Sequence, residues 1–278
     1  MITVKITGGL GNQMFCYAYA KAIQSRGFNV RIDLSLYESY NLHGGYQLDY
    51  FFSDLETCIV KNNLINKIFS FFKLKSNIIR EEKHGFDAKY LNIDDNNYVV
   101  GYFQSEKYFM NIREILLKQF KPNFQISSYA KTLHEKILNE ENSCSVHIRR
   151  GDYLNIKNQK VYKSLTSKYY INAVTWIEKK HKNIKYFIFS DDIDWVKSNL
   201  EFKNATYIEN SNKRKPHEDI LLMSICNHNI IANSTFSWWG AWLNSNDNKI
   251  VLSPKDWFND VNLELLSRGL NCSNWKLI

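Results

Sequence analysis

Three short runs in this chain carry side chains suited to reaction chemistry rather than to packing. His147-Ile148-Arg149-Arg150-Gly151-Asp152-Tyr153 follows an apolar stretch and sets two guanidiniums beside a glycine and a carboxylate. Each guanidinium offers five fixed donors that match phosphate oxygens bidentately. The glycine permits a sharp turn or a close approach. Asp152 is placed to lock one arginine and leave the other for a substrate; the plainer alternative is a surface ion pair with no further role. Asn233-Ser234-Thr235-Phe236-Ser237-Trp238-Trp239 comes after the apolar Ile230-Ile231-Ala232, where a strand-to-helix turn presents N–H groups and hydroxyls to a phosphate. Trp238, Trp239 and Trp242 fall on the ensuing helix and fit core packing better than a sugar platform. Gly8-Gly9-Leu10-Gly11-Asn12-Gln13 lacks the third glycine of a dinucleotide fingerprint and the Gly-Lys-Ser/Thr of a Walker loop. It reads as a tight turn that brings Asn12 and a helix start towards a ligand.

Two acidic runs admit several roles. In Phe189-Ser190-Asp191-Asp192-Ile193-Asp194, a metal-gripping Asp192-x-Asp194 pair is disfavoured. Asp191 or Asp192 capping a helix fits better, and a carboxylate there can equally hold a nucleoside hydroxyl. His217-Glu218-Asp219 precedes an expected helix over 220–226, either capping it or accepting from a guanine edge. No His-Glu-x-x-His and no Cys/His cluster exists, so zinc has no support.

The elements that must position these groups follow from periodicity. Residues 2–7 alternate as a strand, Met14, Tyr17, Ala18, Ala22 and Ile23 share a helix face, and 30–34 form a second strand. This βαβ opening implies a parallel sheet. Pro122, a helix from Tyr129 to Asn139 and a polar run mark a boundary, giving domains 1–138 and 139–278. In the second, strands are expected at 145–148, 185–189, 205–208, 229–232 and 249–252, with a helix from Tyr169 to Lys180. Two α/β halves, each with a loop of this kind after its first strand, suggest a cleft enzyme with ligands beyond the strands' carboxyl ends. Residues 61–80 read as a cationic amphipathic helix, packed on the chain's own core by preference and on a membrane surface otherwise.

With 44% hydrophobic and 23% charged residues in 278, the chain has material for two cores and is not a disordered protein. A net charge of +8 favours anionic partners: nucleotide-sugar phosphates, an anionic membrane or nucleic acid. The last is set aside, because Lys213-Arg214-Lys215 is short and lacks interleaved aromatics. Five scattered cysteines without a Cys-x-x-Cys pair suggest buried free thiols in a reducing compartment. The chain enters a strand at once and holds no run near the ~20 apolar residues of a spanning helix. It is therefore expected in the cytoplasm, with peripheral contact at the membrane as an option.

Taken together, the runs at 8–15, 101–105, 147–153, 189–192 and 233–239 resemble the α-1,2-fucosyltransferase family of bacteria and animals. The likeness keeps its order along nearly the whole chain. It implies a GT-B architecture, two Rossmann-like domains facing a cleft, with the donor mostly on the C-terminal one. It also implies inverting transfer of L-fucose from GDP-β-L-fucose to the 2-hydroxyl of a galactoside, with no metal and no cofactor. By the same likeness Arg149 neutralises the departing diphosphate, His147 holds guanosine and Asp219 contacts guanine. Ser234, Thr235 and Phe236 line the phosphates. Arg150, Asp192, Asn233 and Ser237 complete the expected donor set, and Asn12 and Asp152 join Arg149 as catalytic candidates. The base for the acceptor stays open: two arginines would depress Asp152, and His43 and Asp49 are alternatives. Relatives that build O-antigen repeats or mimic host glycans would put the enzyme at the cytoplasmic membrane face. Competing readings are another GDP-sugar transferase, α-1,6 or protein-directed, and a binding protein without turnover.

Overall fold

The structure, a computed structural model, describes residues 1–39, 42–51, 77–82, 85–121, 126–209, 215–267 and 269–278. The chain divides into two compact units, Met1–Asn123 with Leu266–Cys272, and Phe124–Leu265 with Ser273–Ile278.

In the first unit, strands β1 (Ile2–Lys5), β2 (Val30–Asp33), β3 (Asn77–Arg80) and β4 (Asn97–Val100) form a parallel sheet in the order β2-β1-β4-β3. Ile2, Val4, Val30 and Ile32 turn to one face and are buried, as the period of two requires. The crossover helix α1 (Leu10–Gln24) is buried on nearly every side. Its Ala18, Ala20 and Ala22 allow close packing, while Tyr19 stacks on Phe103 with ring centroids 3.7 Å apart and meets Tyr108 edge-on at 5.5 Å. The helix expected over 61–80 is corrected at its end: residues 77–80 are β3, paired in register with β4 as Ile78↔Tyr98 and Ile79↔Val99. Adjacent β-branched isoleucines favour the pleated conformation. Residues 61–76 lie outside the described residues.

In the second unit, β5 (Ser143–Ile148), β6 (Lys185–Ser190), β7 (Ala205–Tyr207), β8 (His228–Ile230), β9 (Val251–Ser253) and β10 (Lys276–Leu277) form a parallel sheet, ordered β10-β9-β8-β5-β6-β7. The chain starts at the centre with β5, walks out through β6 to β7, and returns to the other flank of β5 with β8. That is the doubly wound order, and its switch point lies between β5 and β8. Helices cover both faces of such a sheet, so β5 is buried at all six positions rather than at alternate ones. Tyr170, Ala173 and Ile177 of α4 (Ser167–Glu178) pack with Val146, Ile148 and Ile188 in one core. Buried Asn229 ties the sheet to a helix end: its Nδ2 donates to Ser145 Oγ at 2.7 Å and to the Met223 carbonyl at 2.8 Å.

The units part at 123/124, ahead of the expected 138/139. The helix α3 (Ser128–Leu138; the unit-one helix Arg113–Gln119 is α2) belongs to the second unit. Its cap Ser127 donates from its backbone N–H and its hydroxyl to Glu218 at 2.6 and 3.1 Å, a bond a local boundary signal cannot register. Cys16, Cys144, Cys226 and Cys272 are buried free thiols.

Candidate active site

Three of the second-half runs marked out by the sequence leave from the carboxyl ends of neighbouring strands, β5, β6 and β8. Parallel register sets Ile148 opposite Ser190, so the residues just beyond β5 and β6 come abreast. Arg149 Nη1 lies 2.8 Å from Asp191 Oδ2, and Arg150 Nε donates to Asp192 Oδ2 at 3.2 Å. The other oxygen of Asp191 accepts from the Arg150 backbone N–H at 2.9 Å. Asp191 therefore fixes both a guanidinium and the backbone that follows it. Gly151 makes room for this carboxylate, since a Cβ there would fall 2.8 Å from Asp191 Oδ2.

Asp152 was expected to lock an arginine; its side chain lies outside the described residues. Among the described residues, the carboxylates that brace the two arginines come from the neighbouring strand, brought abreast by sheet register. Asp191 is thus a site residue that the expected set lacked, although it stood in a marked run. Asp192 does cap a helix: Oδ1 accepts from the Trp195 N–H at 3.1 Å at the start of α5 (Ile193–Asn199). With Oδ2 on Arg150, both its oxygens are engaged within the protein. Arg150 also lies 3.6 Å over the Trp195 ring, a cation–π contact that holds it flat.

His147, on β5, is buried, with its ring 5.7 Å from that of Phe236. Burial holds its pKa well below the ordinary range, the Arg149 guanidinium depresses it further, and Asp191 opposes both. The imidazole is neutral, and its buried Nδ1 has no hydrogen-bond partner among the described residues.

Across the switch point, Ser234 caps α7 (Thr235–Leu243), its Oγ accepting from the Phe236 N–H at 3.4 Å. Asn233 and Ser237 sit deeper than a donor-binding role suggests. Asn233 Nδ2 donates to the carbonyls of Lys163 at 2.7 Å and Trp257 at 2.8 Å, its backbone carbonyl accepts from Tyr153 Oη at 2.9 Å, and its buried Oδ1 has no hydrogen-bond partner among the described residues. The fully buried Ser237 hydroxyl bonds the carbonyls of Ala232 and Ser234 at 3.4 and 3.3 Å. Both are frame members beneath the helix start. Trp238, Trp239 and Trp242 are core, as expected.

Asp219 lies on α6 (Pro216–Ser224), which begins earlier than expected because Pro216 suits a first helical position. His217, Glu218 and Asp219 form its first turn. Glu218 is buried and accepts from Ser127 and from the Lys215 N–H at 3.0 Å, a structural clamp. Burial pushes His217 down to about 4.

In the first unit, Asn12 lies in the first turn of α1, and its Oδ1 accepts from Gln104 Nε2 at 2.8 Å. Gln13 faces inward: Nε2 donates to the carbonyls of Gly8 at 3.0 Å and Gly45 at 2.8 Å, and Oε1 accepts from the Gln47 N–H at 2.9 Å. Asp49 accepts from Tyr46 Oη at 3.1 Å, and the His43 side chain lies outside the described residues.

A doubly wound sheet with carboxylate-braced arginines beyond the end of β5, preceded in the chain by a second parallel α/β unit, is the architecture of the GT-B class of glycosyltransferases. Residues 1–276 match glycosyl transferase family 11, and the chain belongs to that family. It is 37% identical over 272 residues to an alpha-1,2-colitosyltransferase of Escherichia coli, covering 93% of this chain and 92% of that one. The O-antigen biosynthesis glycosyltransferase WbnK of Escherichia coli is 33% identical over 285 residues, covering 91% and 93%. Human galactoside alpha-(1,2)-fucosyltransferase 1 matches at 31% over 106 residues, 37% of this chain and 29% of that one. The solved NodZ α-1,6-fucosyltransferase soaked with GDP-fucose shares the fold, with TM-score 0.55 and 14% identity over 87% of this chain and 91% of that one. Among the described residues no helix is long and apolar enough to cross a membrane.

Proposed function

We propose that this glycosyltransferase moves L-fucose from GDP-β-L-fucose to the 2-hydroxyl of a galactose-type acceptor during O-antigen or similar surface-glycan assembly. Transfer inverts the anomeric centre and uses no metal. The observation that carries the reading is the braced Arg149. Breaking the fucose–phosphate bond leaves an oxocarbenium-like sugar and puts negative charge on GDP. A preorganised cation whose position is already fixed gains the full benefit of that charge, ~3 kcal/mol for a well-placed donor. Asp191 supplies the preorganisation, and the start of α7 at Ser234 and Thr235 adds N–H dipoles of the same sense.

His147 and Asp219 take the guanosine side in this reading, with Phe236 beside His147. Arg150, held by Asp192 and Trp195, keeps the loop beyond β5 in shape. Asn12 takes the acceptor side, and Asp152 remains a candidate for receiving the acceptor proton. Assembly of a lipid-borne glycan would bring the enzyme to the cytoplasmic membrane face.

The colitosyltransferase relative supports a second reading, since colitose is L-fucose without its 3-hydroxyl. One assay separates the readings: GDP release from GDP-fucose and from GDP-colitose, each with β-galactoside and glucosamine-terminated acceptors. Faster release with GDP-fucose and a β-galactoside supports the first. Preference for GDP-colitose moves the assignment to the second, glucosamine preference to an α-1,6 enzyme, and GDP binding without release from either donor to a binding protein.

A further inference from the structure

Glu81 directly follows β3 and has no part in the site described above. Its backbone N–H donates to the Val100 carbonyl at 2.8 Å and extends the pairing with β4. Its side chain then turns onto the 101–105 segment, a run marked in the sequence to which no function has been given. Oε2 accepts from the N–H groups of Tyr102 at 2.7 Å and Phe103 at 3.1 Å, while Oε1 is buried without a hydrogen-bond partner among the described residues.

The turn needs such a clamp. Phe103 has φ 51°, a left-handed conformation that a bulky residue adopts only under constraint. Its ring is fixed by stacking on Tyr19. Gly101 allows the approach, since a Cβ there would fall 2.5 Å from Glu81 Cβ and 2.8 Å from Oε2.

The next residue, Gln104, donates from Nε2 to Asn12 Oδ1. Asn12 and Gln104 stand just past β1 and β4, neighbours in the sheet. Since β2 lies on the other side of β1, this is where the strand order of the first sheet reverses, the usual crevice of a doubly wound unit. Their mutual bond uses one donor and one acceptor. It leaves Asn12 Nδ2, a donor, and Gln104 Oε1, an acceptor, with no partner among the described residues. A donor and an acceptor side by side match two adjacent hydroxyls, each of which both gives and takes a hydrogen bond.

We propose that Glu81 is a positioning residue, gripping the 101–105 turn so that the Asn12–Gln104 amide pair binds vicinal hydroxyls of the acceptor pyranoside. This rests on the reading of the protein as a transferase with a sugar acceptor. The test reads sugar and nucleotide separately. Wild type, Glu81→Ala, Glu81→Gln, Gln104→Ala and the Glu81→Ala/Gln104→Ala double variant are titrated with GDP and with a panel of methyl pyranosides, and transfer from GDP-fucose is followed. Glu81→Ala is expected to weaken pyranoside binding and raise acceptor KM about tenfold, the usual loss for one good hydrogen bond. GDP affinity and acceptor-free hydrolysis of GDP-fucose stay as in wild type. Glu81→Gln keeps a carbonyl for the same two N–H groups and restores binding, and the double variant is no worse than either single one. Additive losses, failure of the glutamine variant to rescue, or no pyranoside bound by the wild type would each overturn the proposal. If Glu81→Ala does not fold, Gln104→Ala alone decides, by whether pyranoside binding falls while GDP binding holds. Lack of GDP binding in the wild type would instead fault the transferase reading.

Discussion

Replacing Asp191 by alanine tests whether a preset cation makes this site work. The change removes the 2.8 Å ion pair to Arg149 and the 2.9 Å bond to the Arg150 N–H together. A charge-assisted hydrogen bond is worth about 1.5–3 kcal/mol net. The Arg149 and Asp191 side chains are 30% and 26% exposed, so solvent screens the pair. The lower end applies, about 1.5–2 kcal/mol, and at 1.36 kcal/mol per decade this is roughly a 10- to 30-fold fall in kcat. GDP release at saturating GDP-fucose and β-galactoside gives kcat, and calorimetry without acceptor gives GDP-fucose affinity independently. The expected result is a lower kcat with GDP-fucose affinity within about threefold of wild type, because the diphosphate gains its extra negative charge only as the bond breaks. A kcat equal to wild type in a folded variant, or a loss carried entirely by GDP-fucose affinity, would refute the reasoning.

Three further outcomes follow from the same geometry. Arg149→Lys keeps the charge but loses the planar fork that Asp191 orients. Turnover should fall more than about tenfold with the melting temperature little changed, and near-normal turnover would remove Arg149 from its role. Ser237→Ala should leave GDP affinity intact and cost about 1 kcal/mol of stability in denaturant melts, because its hydroxyl serves carbonyls of the helix start. Ser234→Ala should weaken GDP binding, and the opposite pattern would exchange their assignments. Stability should fall on acidification: burial pushes His217 and His228 down to about 4, so their neutral-state contribution is complete above pH ~6.5 and drains as pH falls toward 4. Glu81, raised to about 7 by burial, has the opposite sign and favours the fold below pH ~4.5, losing that contribution as pH rises through 7. Denaturant melts across pH 4.5–7.5 check both, with His228→Asn expected to flatten the acid limb and Glu81→Gln the opposing one.

Much of the framework could be read from the chain because it rests on local signals. Apolar runs as long as Ser143–Ile148 and Lys185–Ser190 declare buried parallel strands, and the glycine turn before α1 declares the opening crossover. Strands β3 and β4 escaped notice. Each has only four residues, and β3 is largely exposed at an edge of its sheet, so neither alternation nor a long apolar stretch betrays it. At the site, arginines at a strand end were legible as groups that do not belong in a core, whereas their brace from the neighbouring strand was not. Asp191 meets Arg149 through register between strands some forty residues apart, and no spacing rule encodes that. Asn233 and Ser237 show that polar side chains in a ligand-like motif also satisfy buried carbonyls, those of Lys163 and Trp257 for Asn233 and those of its own turn for Ser237. Glu81 lay in no marked run, and although Gln104 stood in the one at 101–105, only the folded turn joins either to Asn12.

Because Leu266–Cys272 returns to the first unit before Ser273–Ile278 supplies the edge strand β10 to the second, the polypeptide passes between units at 123/124, 265/266 and 272/273. No single cut yields two complete halves. A fragment ending at residue 123 would lack a strap of its own unit, and one beginning at 124 would carry that strap with nothing to pack it on. Swapping the second unit among relatives therefore requires exchanging the tail as well as the body, and chimaeras joined only near residue 124 would inherit a mismatched strap.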